Sequence, residues 1–124
     1  MKIKKETIDF EIHFFENLVK RNPNYVHALI PLAQNYTQKG LYGKGLQIDQ
    51  RLASLCPKDP VIHYNLACSY ALVGGKKEAM TVLRQAIELG YRDFNFIKKD
   101  KDLKSLHQDP EFQALVGLDE KREK

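Results

Sequence analysis

Between residues 24 and 39, Leu29, Leu32, Ala33 and Tyr36 fall at i, i+3, i+4 and i+7, which lines one face of a helix. Gly40 then ends the pattern, as glycine does just past a helix C-terminus. A second stripe follows over residues 42–55, carried by Tyr42, Gly45, Leu46, Leu52 and Leu55, and Pro57 forbids its continuation. Asp59 with Pro60 reads as an N-cap followed by the first helical position. Ile62, Leu66, Tyr70 and Val73 form the next apolar face, Gly74 and Gly75 the turn, and Ala79, Met80, Leu83, Ala86 and Ile87 the helix that Gly90 closes. Ahead of these, Ile8, Ile12, Phe15 and Val19 make a leading helical stripe, with Phe10 and Phe14 lying off it.

The stripes repeat. Shifting the chain by 34 residues brings Pro23 onto Pro57, and Leu32, Ala33, Tyr36 and Gly40 onto Leu66, Ala67, Tyr70 and Gly74. The same shift brings Leu46 onto Met80, Leu52 onto Ala86 and Leu55 onto Leu89. Small residues (Ala33, Gly45, Ala67, Ala79, Ala86) recur where two antiparallel helices must approach closely. No single helix here can hide its apolar face alone, so the expectation is all-α, with helix pairs burying one another.

A period of 34 residues with these matched positions resembles the tetratricopeptide repeat. The run NLACSYALVGGKKEAMTVLRQAIEL, Asn65 to Leu89, carries the Leu66-Ala67 pair, Tyr70, Gly74, Ala79, Leu83 and Ala86 in that family's spacing. Residues 26–57 resemble a poorer copy, with Asp49 at an aromatic position and Leu52 at an alanine position. The resemblance implies a right-handed superhelical solenoid of antiparallel helix pairs, about two full repeats with a leading half repeat and short capping helices. Its boundaries would be a basic tail 1–6, a repeat array 7–92 (half repeat 7–23, repeats 24–57 and 58–92), a closing segment 93–118 and a charged tail 119–124. The string from Asp100 to Leu115, with Asp109 as N-cap and Pro110 after it, is similar to closing segments of bacterial members.

The resemblance further implies a protein or peptide held on the concave side by the first helix of each pair. The groove positions it assigns are His27, Ile30, Pro31, Gln34 and Gln38 in the first full repeat, and Val61, Tyr64, Asn65, Cys68 and Leu72 in the second. Asn65 matches one asparagine of the carboxylate-clamp branch, but Ile30, Gln34 and Asn95 stand where other clamp residues belong, which disfavours that mode. Pro31 removes a backbone bond to His27, at a cost of about 3 kcal/mol in a helix interior, so either the helix starts late, near Leu29, or, the favoured reading, it is kinked or irregular in its first turn. Phe10 and Phe14, with no full helix before them, are candidates for self-association; the alternative is that residues 1–6 fold back over them.

Composition narrows the function classes. A chain of 124 residues with 43% apolar and 29% charged residues is one ordinary globular domain by size. Its net charge of +4 comes from scattered basic residues. The lysines and arginines from Lys76 to Lys104 are interleaved with acids, which disfavours a nucleic-acid partner. Cys56 and Cys68 have no metal or redox spacing, and His13, His27, His63 and His107 lie far apart in the repeat register. Gly74-Gly75-Lys76-Lys77 lacks the phosphate-loop pattern. No catalytic residue, metal or cofactor is therefore expected. No apolar run approaches the roughly 18 residues that span a bilayer, and the charged start lacks a secretory apolar core, so a cytoplasmic protein with no membrane partner is expected. The expected function is a non-catalytic adaptor, scaffold or co-chaperone module; the alternatives are a self-associating assembly subunit and, less favoured, a nucleic-acid-binding helical protein.

Overall fold

A computed structural model of the chain describes residues 2–117, with side chains from Thr7 onward. The tail 119–124 lies outside the described residues. Seven α-helices and one 3-10 segment account for the described chain: α1 Lys2–Arg21, α2 Val26–Lys39, α3 Tyr42–Leu55, α4 Pro60–Leu72, α5 Lys76–Glu88, α6 Phe94–Lys99, the 3-10 segment Lys101–Leu106 and α7 Pro110–Val116. There is no strand among the described residues, so the all-α expectation holds.

The chain divides into two compact units, Met1–Pro57 and Lys58–Lys124. In the first, α1 packs on α2 and α2 on α3. Gly40 ends α2 with φ +86, a left-handed conformation that costs an L-residue about 1–2 kcal/mol, and its N–H returns to the Thr37 carbonyl. The two-residue link Gly40-Leu41 then sends α3 back along α2. Gly45 sits where an added Cβ would meet Thr37 Oγ1 at 3.2 Å, so its small size permits the close crossing. The core of this unit includes Ile12, Leu32 and Tyr36, with Ile8, Phe15, Val19 and Ile48 packed around them.

The structure decides two alternatives in this unit. Residues 2–6 continue α1 as helix, so they form no separate tail and do not fold back over Phe10 and Phe14. Helix α2 begins at Val26 and runs through Pro31 to Lys39, so the late start is excluded and Pro31 is an interior residue.

In the second unit α4 packs on α5 and on the 3-10 segment. Helix α4 is consequently buried nearly all round: Ile62, Tyr64, Leu66, Ala67, Cys68, Ser69 and Ala71 are all inside. Asp59 caps it as expected, accepting from the N–H groups of Val61 and Ile62. Asp93, Asp100 and Asp109 perform the same service for α6, the 3-10 segment and α7. Phe94, Ile97, Leu103 and Leu106 are fully enclosed, which makes residues 93–116 a substantial part of this core.

Candidate functional site

The densest polar chemistry in the described chain sits in the second unit, around Asp100. One turn of α4 separates Tyr64 from Cys68, so both project from the same face. That face is covered by the junction of α6 with the 3-10 segment, where Asp100 ends one and caps the other. Asp100 Oδ1 accepts the Asp102 N–H at 3.0 Å. Its Oδ2 accepts the Tyr64 hydroxyl at 2.5 Å and the Cys68 thiol at 3.8 Å. The Tyr91 ring lies flat on Tyr64, centroids 4.2 Å apart and planes within 4°, and Phe96 leans against Tyr64 at 6.0 Å.

Burial sets the protonation of this cluster. It pushes the Tyr64 phenol far up, with Cys68 and Asp100 adding to the effect. It also pushes the Cys68 thiol well up, and the carboxylates of Asp100 and Asp102 reinforce this, so Cys68 stays a thiol and a poor nucleophile. Tyr91 is raised to about 12 by burial and then by Asp93. Asp102 is raised by burial and by the neighbouring Asp100, against the pull of Lys101.

Donor atoms of Cys68, Asp100 and Asp102 lie within 4.8 Å of one another, close enough to share a cation. The chemistry of the set argues for a different role. A metal would require the thiolate, which burial and two carboxylates oppose. Both oxygens of Asp100 already accept hydrogen bonds. The cluster is therefore a hydrogen-bonded hub that ties the closing segment to α4. The four histidines stay outside it: His13 and His27 are exposed or half-exposed, His63 bonds the Asp59 carbonyl through Nδ1, and His107 lies against Phe112.

The ten groove positions divide between the units. In the first unit Gln34 and Gln38 are exposed, His27 lies at the exposed edge, and Ile30 and Pro31 are half-buried. In the second, Val61 is 54% exposed, and Asn65 and Leu72 are half-buried. Tyr64 and Cys68 correct the expectation: both are buried beneath Tyr91 and Asp100 and offer no surface to a partner. What the pattern of α4 did not reveal is that a second layer crosses it. Phe96, 50% exposed beside Tyr64, is a surface residue that sequence reasoning assigned only to the closing segment. The signal for the hub was present as the Asp100-Lys101-Asp102 string, but nothing in the string points to α4. Phe10 and Phe14 stand outward on α1, 71% and 51% exposed.

The sequence model of the family described as A/B hydrolase-like, N-terminal domain, matches residues 50–124. The chain belongs to that family. The match takes in the last part of α3 and the whole second unit, including the hub and the closing segment. The chain is also similar to a chloroplastic protein of Arabidopsis thaliana, at 29% identity over 87 residues. That alignment covers 65% of this chain and 25% of the relative, so the chain spans about a quarter of that protein's length.

The family match overturns the tetratricopeptide assignment. Paired helices of similar length, with small residues at their crossings and glycine at their ends, satisfy general packing demands. A 34-residue period built from those features is thus shared geometry and does not by itself identify a family. The matched region takes in the closing segment 93–118 together with α4 and α5.

Proposed function

We propose that this domain is a non-catalytic protein-binding module, with a contact surface in the second unit at the lip formed by Val61 and Phe96. The observation that carries the reading is the division of labour around Tyr64. Its polar neighbours are spent inside: Asp100 serves the Tyr64 hydroxyl, the Cys68 thiol and a backbone N–H. Its apolar neighbours face outward. Val61 lies one turn before Tyr64 on α4, Phe96 leans on the Tyr64 ring, and both are about half exposed. An aromatic ring held at the surface against a buried stack, with Val61 exposed one turn before Tyr64, suits a contact that needs little ordering on binding.

The absence of catalysis is part of the proposal. A protonated, buried Cys68 with no histidine beside it lacks what a nucleophile needs. The proposal also includes the expected solenoidal stacking of helix pairs, which small-angle X-ray scattering would test, and a reducing, cytoplasmic setting, consistent with free Cys56 and Cys68. No described helix is long and apolar enough to cross a membrane.

Affinity capture with the intact chain and with a Val61→Asp/Phe96→Asp variant tests the reading. A protein retained by the first and lost by the second, with unchanged circular dichroism, is the expected result. Equal retention by both removes this lip as the contact surface.

A further inference from the structure

We propose that the Val61–Phe96 lip takes an acidic segment of a partner protein, whose apolar side chain seats on Phe96 and whose carboxylates meet the lysines of the closing segment. The inference names the partner's chemistry for the surface proposed above and rests on that reading.

The run from Lys98 to Lys104 interleaves lysines with aspartates in the sequence, but the fold sorts them. In a 3-10 helix, side chains three residues apart eclipse one another, so Lys101–Leu106 carries three rows. Leu103 and Leu106 share a row that is fully enclosed, and Lys101 and Lys104 share one that is exposed. The remaining row holds Asp102, half-buried, and Ser105. Helix α6 sorts its residues in the same way. Phe94 and Ile97 go inside, while Phe96 and Lys99, also three positions apart and so on one side of the helix, are exposed.

The acids of this segment are already engaged. Asp93 and Asp109 cap helices, and Glu111 pairs with Arg84. Asp100 gives one oxygen to the Asp102 N–H and the other to the Tyr64 hydroxyl. Lys99, Lys101 and Lys104, in contrast, make no ion pair and no side-chain hydrogen bond among the described residues. At the other end of the lip, Lys58 is exposed three residues before Val61, and Asp59 beside it is taken up by the cap of α4. Exposed apolar side chains next to uncommitted positive charge are complementary to an apolar side chain set among acids.

Two other occupants fit less well. A second copy of this chain would pair the surface with itself and set lysines against lysines. A single-stranded nucleic acid would use the lysines, but Phe96 is the only exposed aromatic within residues 93–117 on which a base could stack, and Val61 would face a polar backbone.

The test uses the full chain and three fluorescein-labelled peptides that share a central phenylalanine and leucine. The flanks are aspartate and glutamate in the first, serine and glutamine in the second, lysine and arginine in the third. Anisotropy should show the acidic peptide binding about tenfold or more tighter than the neutral one, with a margin that shrinks as salt is added. Lys99→Glu/Lys104→Glu should remove that margin and strengthen binding of the basic peptide. Lys101 is kept because it offsets the neighbouring Asp102. Phe96→Ser should weaken the acidic and neutral peptides alike, and circular dichroism should be unchanged in both variants. A Lys99→Glu/Lys104→Glu variant that binds the acidic peptide like the parent overturns the proposal. So does tighter binding of a single-stranded oligothymidylate than of the acidic peptide, or a dimer in light scattering that Phe96→Ser abolishes. If the acidic and neutral peptides bind the parent equally and Phe96→Ser weakens both, the acidic preference fails and the lip stands. If neither peptide binds, the acidic preference fails, and affinity capture with Val61→Asp/Phe96→Asp decides the lip by itself.

Discussion

In the second unit, four of the five helical segments begin at an aspartate whose carboxylate accepts a backbone N–H: Asp59, Asp93, Asp100 and Asp109. In the first, α2 and α3 begin at Tyr25 and Leu41, whose side chains make no cap bond. The cores differ in the same sense. Five of the seven largest fully enclosed side chains, Phe94, Leu83, Ile97, Leu103 and Leu106, belong to the second unit, and two, Leu29 and Leu32, to the first. The first unit buries the two larger polar side chains, Asn35 and Asp49, and carries the most exposed phenylalanine, Phe10 at 71%. The second unit is specified helix by helix and closed by its own last segment. The first relies on the packing of α1, whose outer face it leaves open. The family match falls almost wholly on the self-contained unit.

The largest test of that contrast is Phe94→Ala, which should cost about 3–5 kcal/mol. In hydrogen exchange, protection should fall in α4 and α5 and persist in α2. Equal losses in both units would mean that they unfold as one cooperative body.

Asp100→Ala should follow at about 3 kcal/mol, because it removes a cap and strands the buried hydroxyl of Tyr64. Adding Tyr64→Phe should recover part of the loss, since the stranded donor is gone; urea denaturation of both variants measures it. No recovery would reduce Asp100 to a simple cap.

Gly40→Ala and Asp59→Ala should each cost about 1 kcal/mol, the first by forcing an L-residue to φ +86 and the second by uncapping α4. Thermal melts would separate them by unit.

The smallest effect is in alkali. Tyr91 is neutral in the fold up to about 12, whereas its ordinary value is 10.0. Between those values the unfolded chain has lost a proton that the folded chain keeps, so stability falls as pH rises through this window. Tyr64 and Tyr36 shift in the same direction. Tyr91→Phe should flatten the fall, read by circular dichroism alongside tyrosinate absorbance. An unchanged slope would show that Tyr91 ionises freely in the fold.

Much of the fold was legible because its signals are local. Gly40, Gly74 and Gly90 adopt positive φ at the ends where their positions suggested stops. Asp59-Pro60 and Asp109-Pro110 open helices as read. The stripe Ile8, Ile12, Phe15 and Val19 packs inward and leaves Phe10 and Phe14 out. The fates of Tyr64 and Cys68 were not legible. A residue on the second side of α4 looks alike in sequence whether water or another segment covers it, and the segment that does so lies 36 residues away at Asp100.

The sequence alone therefore determined where helices begin and end and which stripe each hides, since dihedral preference, capping and periodicity act within a few residues. Only the tertiary structure decided that α4 is covered on a second side and that Asp100 gathers Tyr64 and Cys68. Those outcomes depend on which distant side chains meet once the helices pack, and burial and charge pairing exist only after they have met.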